Sequence, residues 1–258
     1  EQPILRISNL SVRYEGRPAL EGVDIQLRVG EKVAVVGPNG AGKSTLFKVI
    51  AGVLLPTEGE VTVYGSQPGG HSCIAYLPQR SQVDWSFPVS VGDVVMMGRI
   101  AKLGLFGWPR RADWDHVENA LRTVAMVDLK DRQIGQLSGG QQQRMFIARS
   151  LAQEAELMMM DEPLTGLDGP SQEALLSLLE NIQGEGVTVL VATHDLDQAK
   201  RYFDRILLLN HRVVAFGTPD EALTPEALLI AYGGKLQSIE GKLITDTCCE
   251  EDGHSGHF

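Results

Sequence analysis

The chain has 258 residues, 43% of them hydrophobic and 6% aromatic, and a formal net charge of −10. That length fits one large domain, or one domain with an inserted lobe, and the apolar content is enough for a real core. The negative balance disfavours broad nucleic-acid binding, because such a surface is a poor counterion for a phosphate backbone.

No run of about 18 apolar residues is present to span a membrane. The first stretch, EQPILRISNLSVRY, has neither the basic region nor the apolar core of a secretory signal. Cys73, Cys248 and Cys249 are an odd set in a chain this long, which argues against a disulfide scaffold and for a reducing cytosol.

In chain order, ILRISNLSVRY alternates as a strand does, and so does GVDIQLRVG, with Ile25, Leu27 and Val29 on one face. KVAVVG, Lys32 to Gly37, is a short apolar strand running into a glycine turn. KSTLFKVIAG reads as a helix stopped by Gly52, and GEVTVYG as a strand between glycines. From about Ser90 to Ala152 the texture changes. DWDHVENALRTVAMVDL and GGQQQRMFIARSLAQE are helical in period, which predicts a helical lobe inserted between sheet-forming segments. Strand and helix then alternate through ELMMMDEP, SQEALLSLLENIQ, GVTVLVATH and DLDQAKRYF. RILLLNHRVVAFG is expected to end the regular part, with an acidic, polar tail after it. This alternation predicts an α/β architecture.

GPNGAGKST occupies Gly37, Pro38, Asn39, Gly40, Ala41, Gly42, Lys43, Ser44 and Thr45 and matches the G-x-x-x-x-G-K-[ST] phosphate loop, with an apolar strand before it and a helix after. The glycines let backbone N–H groups turn toward phosphate oxygens, and the helix N-terminus adds favourable dipole charge. Lys43 can reach the β- and γ-phosphates, and the Ser44 hydroxyl can ligate Mg²⁺. The loop alone leaves a small-molecule kinase and a GTPase open.

LMMMDEP narrows the field. Leu157 to Met160 predict a buried strand that delivers Asp161 to its C-terminal end, where ligands of α/β sheets bind and where a carboxylate can hold Mg²⁺. Glu162 comes next and can polarise a water toward the γ-phosphate. Two adjacent acids with different tasks suit hydrolysis better than transfer to a bulky acceptor.

The third element is LSGGQQQR, Leu137 to Arg144. With it the chain resembles the nucleotide-binding subunit of an ATP-binding cassette (ABC) transporter. Ser138, Gly139, Gly140 and Gln141 start a helix and can present N–H groups and a hydroxyl to a phosphate. The resemblance implies that they do so in trans. Two copies of the chain pack head to tail, and each signature covers the ATP held by the other copy's loop. It also implies that Tyr14 stacks on adenine, that Gln79 reaches Mg²⁺ and the attacking water, that Asp168 makes contact across the dimer, and that His194 contacts the γ-phosphate. Leu164 and Leu167 stand where the family often has phenylalanine and valine; both stay apolar.

The resemblance covers Ile4 to about Gly234. It implies a P-loop NTPase fold with a RecA-like core, an antiparallel β subdomain and an inserted helical subdomain. The expected boundaries are an ATPase domain over 1–234, its helical part over about 90–152, and a C-terminal extension over 235–258. The segment YLPQRSQVDWSFPVSVGDVVMMGR is similar to one branch, the ATPases of manganese, zinc and ferrous-iron importers. The implied partners are therefore an integral membrane permease, an extracytoplasmic metal-binding protein acting indirectly, and no nucleic acid. The implied place is the cytoplasmic face of the cell membrane. Among the metals manganese is favoured. Importers of iron chelates or cobalamin, and a soluble ABC ATPase such as one of iron–sulfur cluster assembly, are the alternatives.

Trp85 and Phe87, just after Gln79, have two readings at this point: a surface for the permease, or core. The tail residues Cys248, Cys249, His254 and His257 include soft ligands, but adjacent cysteines do not follow the usual zinc spacing.

Overall fold

The structure is a computed structural model that describes residues 3–68, 73–79, 83–104, 107–233, 236–239 and 242–245. The soft side chains of the tail, Cys248, Cys249, His254 and His257, for which the sequence leaves metal binding open, lie outside the described residues.

The chain opens as a hairpin of β1 (Leu5–Tyr14) and β2 (Arg17–Leu27), followed by β3 (Lys32–Val36), α1 (Lys43–Ile50) and β4 (Glu58–Val63). β1 pairs antiparallel with both β2 and β4, in the order β2-β1-β4. Its alternation slips once. Asn9 has φ of 47°, and the register shifts between Ile7 and Leu10, so Ser8 and Asn9 are both exposed while Ile7 and Leu10 stay buried. Val29 corrects the sequence expectation. β2 ends at Leu27, and Val29 is 52% exposed on the turn before Gly30, so it shares no buried face with Ile25 and Leu27.

β5 (Ile74–Leu77) then precedes α2 (Val91–Met97), α3 (Ile100–Leu103), α4 (Arg111–Thr123) and α5 (Gly139–Ala152). The helix expected through DWDHVENALRTVAMVDL stops at Thr123, because Ala125 turns left-handed at φ of 54°. After it come β6 (Leu157–Asp161), α6 (Gly169–Gly184), β7 (Thr188–Thr193) and α7 (Leu196–Tyr202). RILLLNHRVVAFG divides into β8 (Arg205–Asn210) and β9 (Arg212–Gly217), and it does not end the regular part. α8 (Pro219–Ala222), α9 (Pro225–Tyr232), β10 (Leu236–Ile239) and β11 (Lys242–Thr245) come after it.

The main sheet has the order β5-β6-β7-β3-β8-β9, parallel except for β9. Its inner strands are apolar between their ends because both faces are covered. Val33, Val35, Met159, Leu190 and Leu207 face α1 and the antiparallel sheet. Ala34, Val36, Met158, Met160, Val191 and Leu208 face the core built with α2, α4, α5 and α6. The α/β core, the antiparallel sheet and the helices between β5 and β6 make up the architecture that the sequence predicted.

Trp85 and Phe87 divide between their two readings. Trp85 is half-buried and meets Phe146 of α5 edge-on, with ring centroids 5.7 Å apart, while Phe87 is 57% exposed.

Candidate active site

β6, β7 and β3 are neighbours in the sheet, so the segments beyond their carboxyl ends converge. The phosphate loop extends from β3, the acid pair closes β6, and His194 lies just past β7. Between them lies a cleft of about 250 Å³, lined by the loop from Asn39 to Thr45, by Ala19 of β2, and by Gln79, Asp161 and Glu162.

The loop is locked from behind. At Gly37 a β-carbon would sit 2.0 Å from the Leu209 carbonyl oxygen. At Gly42, whose φ is 98°, it would sit 2.6 Å from the Ala19 carbonyl oxygen. Gly42 also starts α1 without a side-chain cap, so the first N–H groups of that helix are left for a ligand of the cleft. The Lys43 ammonium donates to the Gly37 and Pro38 carbonyls at 2.7 and 3.1 Å. Burial lowers its pKa, against the pull of Glu162 and Asp161.

Asp161 is buried at the end of β6, and burial raises its pKa above the ordinary carboxylate value. The Ser44 hydroxyl beside this carboxyl works against that rise, and Oδ2 has no hydrogen-bond partner among the described residues. An orphaned buried carboxylate oxygen beside a hydroxyl, facing a phosphate-type loop, is a donor set that suits a hard cation such as Mg²⁺.

Glu162 has φ of 50°, a conformation that costs a non-glycine residue and marks a position held by its surroundings. Its N–H donates to the Ala192 carbonyl of β7 at 3.0 Å. Its Oε1 lies 3.7 Å from His194 Nδ1, and its Oε2 accepts from Thr165 Oγ1 at 3.3 Å. The His194 imidazole holds the Glu162 carboxyl below its usual range, and the carboxylate in turn raises the imidazole. The group is therefore ionised and aimed, as orienting a water requires.

The other expected residues lie around this cleft or away from it. Tyr14 ends β1 and is 46% exposed, and His194 is an exposed rim residue; neither lines the cleft. Ser138 caps α5. Its side chain accepts from Gln141 N–H at 3.4 Å, and Gln141 Oε1 accepts from Ser138 N–H at 2.9 Å. Asp168 caps α6 by accepting from Ser171 N–H at 2.8 Å. Gly139 is half-buried on the first turn of α5, and Gly140 packs so close to Ser171 that a β-carbon would meet its hydroxyl at 3.3 Å. Gly140 and Arg144 of the signature line a second cleft with Ser171, of about 180 Å³ and apart from the first, while Asp168 reaches it only by accepting from Ser171 N–H.

Ala19, Thr165 and Leu209 were not singled out by sequence reasoning. A small apolar strand residue, a loop threonine and a strand-end leucine carry no signal of the contacts they make here.

The ABC transporter family matches residues 20–165 of the chain. The chain is 43% identical over 243 residues to the manganese transport system ATP-binding protein MntB of Bacillus subtilis (strain 168), covering 94% of this chain and 97% of that one. It is 45% identical over 235 residues to the zinc transport system ATP-binding protein TroB of Treponema pallidum (strain Nichols), covering 91% and 88%. Among solved structures it matches an inward-facing conformation of a metal-chelate type ABC transporter with a TM-score of 0.81 at 29% identity, covering 95% and 96%.

Proposed function

This chain belongs to the ABC transporter family and is one of its ATPases, and from that premise we propose that it powers import of a divalent metal ion, manganese first among the candidates, through a separate membrane permease. The observation that carries the reading is the 43% identity to a manganese transport ATP-binding protein along 94% of the chain. The likeness to a zinc transport ATP-binding protein fits the same scheme, because an ATPase that never touches the metal need not differ with the metal carried.

The reaction is ATP + H₂O giving ADP and phosphate. The N–H groups of the loop from Gly37 to Thr45 and the Lys43 ammonium receive the phosphates and stabilise charge on the transferring phosphoryl group. Lys43 exchanges its two carbonyl partners for phosphate oxygens as ATP enters. Ser44, Asp161 and Gln79 hold the Mg²⁺ that accompanies ATP, and that ion neutralises phosphate charge when bound. Glu162 orients the attacking water, and His194 holds the γ-phosphate beside it. Tyr14 stacks on the adenine.

Ser138, Gly139, Gly140 and Gln141 serve the other copy's nucleotide in a head-to-tail dimer, with Asp168 near the junction. The separation of the signature from the phosphate cleft within one protomer supports this arrangement. No helix among the described residues is long and apolar enough to cross a membrane, so the transport path belongs to a partner. The chain sits on the cytoplasmic face of the membrane, with the helical part over about 90–152 toward the permease and Phe87 on the coupling surface. Closure of the dimer on ATP moves the permease, and hydrolysis resets it. An extracytoplasmic metal-binding protein delivers the ion. The segment 235–258 is a C-terminal extension of the ATPase domain.

Import of a metal chelate is the second reading, favoured by the likeness to a metal-chelate type transporter. Uptake of Mn²⁺, Zn²⁺, Fe²⁺ and an iron chelate by cells lacking the gene tests both. A selective loss of Mn²⁺ uptake supports the first, loss of chelate uptake the second, and no loss of any contradicts transport of these substrates.

A further inference from the structure

The turn between β8 and β9 is outside the nucleotide cleft, yet it grips the cleft from behind. His211 holds φ of 57° there, a left-handed conformation that strains a side chain with a β-carbon. Its backbone makes two hydrogen bonds. The His211 N–H donates to the Ala41 carbonyl of the phosphate loop at 2.9 Å, and the His211 carbonyl accepts from Glu21 N–H of β2 at 2.8 Å. The ring makes a third contact, from Nδ1 to the Ala19 carbonyl at 3.1 Å. A carbonyl only accepts, so this partner assigns the proton to Nδ1.

That carbonyl is the one against which Gly42 packs, and Ala19 itself lines the cleft. One residue therefore ties the phosphate loop, through Ala41, to the strand that forms the opposite wall, through Ala19 and Glu21. Its neighbours fasten the turn in place. Arg212 donates from Nε and Nη2 to Glu21 Oε2 at 2.9 and 2.7 Å, and Asn210 Nδ2 donates to the Ala231 carbonyl of α9 at 3.0 Å.

We propose that His211 is a positioning residue for nucleotide binding: by holding the Ala19 carbonyl against the Gly42 face of the phosphate loop, it sets the width of the cleft before ATP arrives. A preset cleft spends less of its binding energy on ordering, so the ring acts on affinity rather than on the chemical step. The inference rests on the reading that ATP occupies the cleft between Ala19 and the phosphate loop.

The test uses the full chain with His211→Gly, His211→Asn and, as control for the site, Lys43→Ala. Glycine adopts the left-handed turn freely and keeps both backbone bonds, so it removes only the ring. Asparagine tolerates the turn and returns a donor. ATP affinity is read by titration with a fluorescent ATP analogue, with KM, kcat and the thermal midpoint measured alongside. His211→Gly is expected to weaken ATP binding about fivefold, the worth of one ordinary hydrogen bond, with kcat at saturating ATP within about twofold. His211→Asn is expected to recover most of that loss, and Lys43→Ala to weaken binding far more.

Unchanged ATP affinity in His211→Gly beside a defective Lys43→Ala overturns the inference and leaves the site standing. Unchanged affinity in Lys43→Ala overturns the site reading and the inference with it. Equal weakening in His211→Gly and His211→Asn, or a fall of kcat and thermal midpoint together in both, reduces His211 to a structural turn residue and also overturns the inference.

Discussion

Glu162 and His194 face each other across the ends of two neighbouring strands, Oε1 to Nδ1 at 3.7 Å, and each shifts the other's protonation. Their shifts have opposite signs. The imidazole is raised above 6.5 chiefly by the carboxylate, so the pair's stabilisation is complete below 6.5 and is lost as pH rises through the raised value. The carboxyl is lowered below 4.5 chiefly by the imidazole, so the same stabilisation is present above 4.5 and is lost as pH falls through the depressed value.

In the nucleotide-free protein, Glu162→Gln is therefore expected to move the His194 titration midpoint down. An NMR pH titration of the imidazole C–H signals reads this directly. An unmoved midpoint would show that the pair is not electrostatically coupled.

Asp161 keeps an unpartnered carboxylate oxygen in a buried setting, with the Ser44 hydroxyl beside it. If that oxygen serves Mg²⁺, Asp161→Asn should bind ATP in the presence of a chelator about as the unaltered chain does. It should lose the gain that Mg²⁺ adds, by at least the roughly tenfold that even outer partners of a metal ligand are worth. Calorimetric titration with and without Mg²⁺ separates the two. A full magnesium effect in the variant would remove Asp161 from the ligand set.

Ser138 has a local task as well as a proposed distant one, because its side chain accepts from Gln141 N–H at the start of α5. Ser138→Ala should cost about 1 kcal/mol of stability through the lost cap, read as a lower thermal midpoint. Its effect on ATP hydrolysis should be larger and should fall on the partner's site.

Mixing Ser138→Ala protomers with Lys43→Ala protomers tests this sharing. In a head-to-tail pair one site collects both defects and the other is intact, so the mixture should hydrolyse more ATP than the sum of its separate components. Activity equal to that sum would place both groups in one protomer's site.

Trp85 and Phe87 separate packing from partner contact. Trp85→Ala removes an edge-on ring contact with Phe146 and should cost about 2 kcal/mol by chemical denaturation. Phe87→Ala removes an exposed ring and should leave the thermal midpoint and the ATPase rate of the isolated chain unchanged, while metal uptake by the assembled transporter falls. Unimpaired uptake would take Phe87 off the coupling surface.

The legible parts of the fold share one cause. Leu157 to Met160 and Val189 to Ala192 are apolar because both faces of the central sheet are covered, and a short run without polar alternation is the mark of a strand buried on both sides. The illegible parts are backbone choices. Ala125 and His211 turn left-handed without being glycine, so nothing in their type announces the end of α4 or the break between β8 and β9. β5 has four residues, too few to establish a period.

At the site the same contrast holds. The glycines, lysine, serine and paired acids carry their chemistry in their identity and spacing, so Lys43, Ser44, Asp161 and Glu162 could be named in advance, and they do meet at one cleft. Ala19 could not, because its contribution is a backbone carbonyl placed by the antiparallel sheet.

ATP binding and ATP hydrolysis measured side by side on Glu162→Gln test the central claim most directly. On the proposed reading the ionised carboxylate orients the water and is not needed to hold the nucleotide. The variant should therefore bind ATP with nearly unchanged affinity while turnover falls about a hundredfold or more. Turnover at the level of the unaltered chain would contradict the assignment of Glu162.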